Sequence, residues 1–293
     1  MTRADAQLLR IEGISKLFPL KGGAIARLTG RSAAFKALDG INLSIGRGEA
    51  VGLVGESGSG KSTLAQIAVR LIAPSAGRVL YAGRDLSAMA PHELRSFRRG
   101  VQMVFQDTAS SLNPRKRVGT AVDEALALRG VPRGARRSEG ERLLDVVGLG
   151  PFVLERYPHQ LSGGQRQRVG ITRALAMAPD LLVADEPVAS LDVSLQAQII
   201  GLFTELRARL GLSILFISHD LALTGHLCDR LAVLHRGRIV EQGTPAEVLR
   251  RPAHPYTQAL VAAVPAGLAG RDRIHSADWE RLPGVAAGSL CRY

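Results

Sequence analysis

"GESGSGKS", residues 55–62, follows the apolar run "AVGLV" and precedes "STLAQIAVRLI". By residue type it reads glycine, four free positions, glycine, lysine and serine. Glycines let backbone N–H groups turn inward around phosphate oxygens. The first turn of a following helix adds partial positive charge. Gly55, Glu56, Ser57, Gly58, Ser59, Gly60, Lys61, Ser62 and Thr63 therefore form a candidate phosphate loop between a strand and a helix. In this register Lys61 can reach the β- and γ-phosphates of a nucleotide and Ser62 can ligate Mg²⁺. A plain glycine turn would not need lysine and serine at these two places.

Working outward, "DLLVADEP" (180–187) is a continuous apolar run ending in carboxylates. Such a run is expected of a strand buried on both faces. Asp185 at its end is placed to hold Mg²⁺ through water, and Glu186 to orient and polarise an attacking water. "QLLRIE" (7–12), "EAVGLV" (49–54), "GRVLYAG" (77–83), "VQMVFQ" (101–106) and "SILFIS" (213–218) are further strand candidates. "FKALDGINLSI" (35–45) reads as strand, turn and strand, and "KGGAIARLTGRS" (21–32) as an exposed basic loop. From about 118 to 160 the pattern is helical, with a basic polar break at "RGVPRGARRSEGER" (129–142). Leu195, Ile199, Leu202, Leu206 and Leu210 are spaced for one helix face, closed by Gly211. Thr244, Pro245 and Glu247 spell a capping box. Strand–helix alternation implies an α/β fold whose parallel sheet carries helices on its faces. The early hairpins imply a small antiparallel sheet beside it.

Composition narrows the class. The chain has 293 residues and 46% hydrophobic ones, enough for a sizeable core. No apolar stretch is long and unbroken enough to span a bilayer, and the start lacks a secretory apolar region. The expectation is a cytoplasmic chain, held at a membrane only by partners. Two cysteines, Cys228 and Cys291, are too few for a four-thiolate cluster and are expected to be plain thiols. The net charge of +12 comes with only 4% aromatic residues and no basic–aromatic interleaving. An arginine-rich soluble surface ranks first, attraction to an anionic membrane face second, and nucleic acid last.

Four more segments complete a pattern. Gln106 in "VFQD", "LSGGQRQR" at 161–168, Asp192 in "SLD" and His219 in "ISHD" follow the order and context of ATP-binding cassette (ABC) ATPases. The chain resembles that family from about residue 8 to 265. The resemblance implies a P-loop NTPase (RecA-like) core with an antiparallel β subdomain and a helical subdomain inserted at about 108–165. It implies ATP and Mg²⁺ as ligands. Phe18 takes the place of the aromatic that stacks on adenine. Gln106 would contact Mg²⁺ or the lytic water, and His219 would hold the γ-phosphate and help position Glu186. Ser162, Gly163, Gly164 and Gln165 would face the phosphate loop of a second subunit, with Asp192 at the same boundary. No motif departs from the hydrolytically competent form.

"VFQDTASSLNPR", "YPHQLSGGQRQR", "LDVSLQAQII" and "HPYTQAL" are similar to ATPases of the peptide/nickel importer subfamily. That resemblance implies a motor at the cytoplasmic face of the cell membrane. Its partners would be a second ABC ATPase, paralogue rather than identical copy, two permeases and, indirectly, an extracytoplasmic binding protein, with no nucleic acid. The cargo would be short peptides, with nickel or other small solutes open. A soluble ATPase acting on ribosomes or DNA would resemble two fused cassettes or carry a long coiled coil, which this chain lacks. A weakly hydrolysing scaffold would not need both Glu186 and His219. "RLPGVAAGSLCRY" (281–293) begins the subfamily's cysteine-rich extension but holds one cysteine. Residues 266–293 are accordingly expected to be a tail truncated relative to that extension.

Overall fold

The computed structural model describes residues 7–19, 34–106, 112–189 and 191–263. The 21–32 loop, residues 107–111, Ser190 and the tail with Cys291 lie outside them. Two sheets organise the fold. The first is antiparallel, in the order β2-β1-β4-β5. Its strands are β1 (Gln7–Pro19), β2 (Ala34–Gly46), β4 (Ala76–Tyr81) and β5 (Arg84–Asp85). The second has six strands in the order β10-β9-β3-β8-β7-β6. They are β3 (Ala50–Val54), β6 (Val101–Val104), β7 (Leu181–Asp185), β8 (Ser213–Ser218), β9 (Arg230–His235) and β10 (Arg238–Gly243). Every pairing in it is parallel except β10 on β9. This is the α/β architecture that the sequence predicts.

The central strands are apolar on both faces because each face meets its own core. In β7, Leu181 and Val183 join one cluster and Leu182 and Ala184 the other. In β8, Leu215 and Ile217 separate from Ile214 and Phe216 in the same way. One core lies under the antiparallel sheet and includes Leu64, Ile67 and Ala68 of α1 (Lys61–Ala68) and Phe97 of α2 (Pro91–Gly100). The other lies under α3 (Val118–Arg129), α4 (Arg133–Val146), α5 (Gly163–Leu175) and α6 (Val193–Leu210). Short helices α7 (Leu221–Leu227), α8 (Pro245–Arg250) and α9 (Pro255–Ala262) complete the described chain.

Three local expectations are corrected. Residues 35–45 do not form strand, turn and strand, because β2 runs unbroken from Ala34 to Gly46. Its pairing with β1 steps from Ile14↔Ile41 to Lys16↔Leu38, so Asp39 and Gly40 are absorbed as an irregularity in one long strand. The basic stretch 129–142 is not a break beyond Gly130–Pro132, since Arg133 already opens α4. Part of its charge is paired: Glu139 binds both Arg129 and Arg142, and Arg137 binds Glu141 one turn away. On α6 the buried face is Ile199, Ile200, Leu202, Phe203 and Leu206, while Leu210 is 52% exposed. On this face Phe203 makes an edge-on contact with Phe216 of β8, 5.6 Å between ring centres.

Candidate active site

The phosphate loop joins β3 to α1 and is closed in by neighbouring backbone. A Cβ on Gly55 would run into the carbonyl of Leu234 at the end of β9. Gly60 precedes α1 with φ +109°, and a Cβ there would sit 2.7 Å from the Ala37 carbonyl. Both positions therefore require glycine. Gly237 N–H donates to the Ser59 carbonyl at 2.9 Å and holds the loop from the side. Glu56, Ser57 and Gly58 form its exposed crest, while Ser59 and Lys61 are buried and Thr63 half-buried.

Lys61 Nζ donates to the Gly55 and Glu56 carbonyls, both at 2.8 Å. Burial pushes its pKa down, opposed by the Glu186 carboxylate 3.9 Å away. Ser62 Oγ donates to Asp185 Oδ1 at 3.2 Å. Asp185 ends β7, and burial raises its pKa above the ordinary carboxylate value. The strand order explains the meeting: β3 and β7 flank β8, so the loop after β3 and the carboxylates after β7 emerge at the same end of the sheet.

Glu186 follows with φ +45°, in the left-handed region. Its N–H donates to the Ile217 carbonyl at 2.9 Å, which fixes the kink. A non-glycine residue there carries strain of about 1–3 kcal/mol and is held by its surroundings. The kink leaves Glu186 Oε2 3.5 Å from His219 Nδ1, just past β8. His219 itself is mostly exposed. Lys61, Ser62, Asp185, Glu186 and His219 thus converge on one surface.

The other predicted residues sit on other elements of the fold. Ser162 caps α5 in a reciprocal pair: Gln165 N–H donates to Ser162 Oγ at 3.2 Å, and Ser162 N–H to Gln165 Oε1 at 3.0 Å. Gly163 and Gly164 form the first turn, and a Cβ on Gly164 would approach Leu195 to 3.3 Å. Asp192 caps α6 by accepting from Leu195 N–H. Among the described residues, no hydrogen bond or ion pair joins Ser162, Gly163, Gly164, Gln165 or Asp192 to the Lys61 cluster. Gln106 is exposed two residues beyond β6. Phe18 is on β1 opposite Phe35, with Lys16 Nζ 5.1 Å from its ring centre. Its exposure of 37% makes it a surface aromatic and not a core one.

The donor set fits a magnesium nucleotide. It offers a buried ammonium, a hydroxyl paired with a carboxylate, and Ser59 Oγ, buried with no hydrogen-bond partner. The profile of the ABC transporter family matches residues 38–189, which span the loop and both carboxylates.

The chain belongs to the ABC transporter family. A second profile, the oligopeptide/dipeptide transporter C-terminal region, matches residues 240–293. The oligopeptide transport ATP-binding protein AppF of Bacillus subtilis is 44% identical over 281 residues, covering 94% of this chain and 84% of AppF. The oligopeptide transport ATP-binding protein OppF of Lactococcus lactis is 43% identical over 263 residues, covering 89% and 81%. Among solved structures, cbiO1 of Clostridium perfringens, part of the cbiONQ transporter complex, superposes with a TM-score of 0.71 at 30% identity. It covers 84% of this chain and 92% of its own. The cassette MJ0796, seen as a dimer in a post-hydrolysis state with ADP and Pi, gives 0.68 at 28%, covering 81% and 98%. This chain is an ABC ATPase, and no helix among its described residues is long and apolar enough to cross a membrane.

The sequence reading missed one partner of the loop. The Glu56 N–H donates to Tyr256 Oη at 3.0 Å, 200 residues along the chain. Tyr256 lies in the quoted segment "HPYTQAL", but no local pattern links it to residue 56.

Proposed function

We propose that this ABC ATPase is the motor subunit of an importer for short peptides, nickel or a related small solute. It acts at the cytoplasmic face of the cell membrane. Its partners are two permease subunits, a second ABC ATPase that is a paralogue rather than an identical copy, and indirectly an extracytoplasmic binding protein. The match over 240–293 and the names of the most similar relatives support peptides as the first choice of cargo. In this reading residues 1–265 are the nucleotide-binding domain, the helical block at about 108–165 meets the permease, and 266–293 form a short tail.

The convergence of Lys61, Ser62–Asp185 and Glu186–His219 carries the mechanism. Lys61 gives up its two carbonyls and turns its ammonium to the β- and γ-phosphates. Ser62, Gln106 and, through water, Asp185 would hold Mg²⁺, which supplies charge neutralisation on the phosphates. Phe18 stacks on the base. Glu186 orients the attacking water and polarises it towards the γ-phosphorus, and His219 steadies Glu186 and the γ-phosphate. Ser162, Gly163, Gly164 and Gln165 present helix-start N–H groups to the nucleotide of the neighbouring subunit, beside Asp192. They lack a lysine and a metal ligand, so they act only across a dimer. ATP then joins the two ATPases, and closure is passed to the permeases.

The test is purification from membranes in mild detergent, followed by identification of what accompanies the chain. Two permeases and a related ATPase are expected, and the ligand of the associated binding protein names the cargo. Recovery without any membrane protein would contradict the proposal.

A further inference from the structure

Each residue of the "HPY" segment has a defined place. His254 precedes α9, and its Nδ1 accepts from Tyr256 N–H at 3.1 Å. Pro255 sits in the first turn, where it has no N–H to leave unpaired. Glu241 of β10 anchors the approach by accepting from Ala253 N–H at 2.9 Å and His254 N–H at 3.1 Å. These contacts direct the Tyr256 ring onto His235 at the end of β9, with ring centres 3.8 Å apart. From there its hydroxyl reaches the Glu56 N–H at 3.0 Å.

The peptide group between Gly55 and Glu56 is therefore pinned from both sides. Its carbonyl accepts from Lys61 Nζ at 2.8 Å, and its N–H donates to Tyr256. Once Lys61 turns to a phosphate, the carbonyl loses that anchor and the tyrosine alone remains. An unpinned peptide group at this point could rotate and change the direction of the following N–H groups. Burial raises the Tyr256 pKa above its ordinary value, so the hydroxyl stays neutral at physiological pH.

We propose that Tyr256 is a positioning residue for ATP binding, fixing the Gly55–Glu56 peptide group while Lys61 exchanges that carbonyl for a phosphate. The C-terminal segment is by this route part of the nucleotide site, although it touches no phosphate. The proposal rests on residues 55–62 being the phosphate loop, and the same experiment tests that separately.

The test compares the full chain with Tyr256→Phe and Lys61→Ala. Affinity for a non-hydrolysable ATP analogue with Mg²⁺ is measured beside the melting midpoint of nucleotide-free protein. Phenylalanine keeps the ring on His235 and removes only the hydroxyl. Tyr256→Phe is expected to weaken analogue binding about three- to tenfold, the scale of one hydrogen bond. Its nucleotide-free midpoint should stay within about 2 °C of the parent. Unchanged affinity would overturn the proposal, as would a loss accompanied by a larger fall in midpoint, which would make the role structural. Lys61→Ala should abolish binding. If it binds like the parent, the phosphate-loop reading falls, whereas loss in Lys61→Ala with intact binding in Tyr256→Phe removes only the role of the tyrosine.

Discussion

His219 Nδ1 lies 3.5 Å from Glu186 Oε2, across the gap between the ends of β8 and β7. Because Glu186 is held in a left-handed kink, its carboxylate cannot be re-aimed cheaply by the backbone. His219 and Lys61, whose Nζ is 3.9 Å from Glu186 Oε1, are the side chains that face it. His219→Ala should lower saturating turnover at least about tenfold and weaken Mg-ATP affinity by a smaller factor, since the histidine is proposed to steady both Glu186 and the γ-phosphate. Steady-state hydrolysis with a parallel binding titration checks this; a change confined to affinity would remove His219 from the hydrolytic step.

Asp185 is a buried carboxylate with a raised pKa, burial being the main cause. The sign follows from linkage. A folded pKa above the unfolded one means the charged form disfavours folding, so stability falls as pH rises through that pKa. Asp185→Asn removes the charge and can keep the hydrogen bond from Ser62. The nucleotide-free variant should melt about 2–4 °C higher at neutral pH, corresponding to about 1 kcal/mol. Its Mg²⁺-dependent hydrolysis should fall by about 10² or more. A lower midpoint in a calorimetric scan would show that the carboxylate stabilises the fold.

Gly163 lies in the first turn of α5, and a Cβ there meets only Leu191 at 3.6 Å, an ordinary contact. Gly163→Glu therefore fits the fold while placing negative charge where a neighbour's phosphates would arrive. Nucleotide binding by the isolated chain should be unchanged, and ATPase activity of the assembled transporter should drop at least about tenfold, as expected when a phosphate-facing helix start is blocked. Equal loss of binding in the isolated chain would mean that α5 serves its own subunit's site.

Glu139 in the helical block sits between Arg142 and Arg129, which bring its pKa from 4.5 to about 2. Its stabilisation is complete above the unfolded pKa and disappears as pH falls towards the folded one. Glu139→Gln should lower unfolding free energy by about 1 kcal/mol at pH 7. The difference from the parent should shrink below pH 4.5 and vanish near pH 2. Urea titrations at several pH values check it; a difference independent of pH would point to packing instead.

These residues also mark what the sequence made legible. The phosphate loop and "DLLVADEP" are local signals, because a strand, its terminal charge and the next turn are contiguous. Their meeting follows from the strand order, in which β3 and β7 flank β8; alternation implies a parallel sheet but not that order. The helical identity of 133–146 is hard to read because its arginines look like a polar break, and only the fold shows Glu141 and Glu139 pairing with Arg137 and Arg142 one turn away. The leucine spacing of α6 finds Ile199, Leu202 and Leu206 on the buried face but not Phe203, whose partner Phe216 lies on another strand. The bulged pairing of β2 and the Glu56–Tyr256 contact depend on residues far apart in the chain, so no sequence window contains them.

Glu186 is proposed to drive hydrolysis at a site that otherwise binds ATP fully. Glu186→Gln keeps size and hydrogen bonding but cannot polarise water as a carboxylate does. The decisive measurement is single-turnover hydrolysis of bound Mg-ATP by this variant against the parent, with nucleotide occupancy recorded in the same samples. Parent-like occupancy is expected, with hydrolysis slower by a factor of about 10² or more. Near-parent hydrolysis at full occupancy would contradict it.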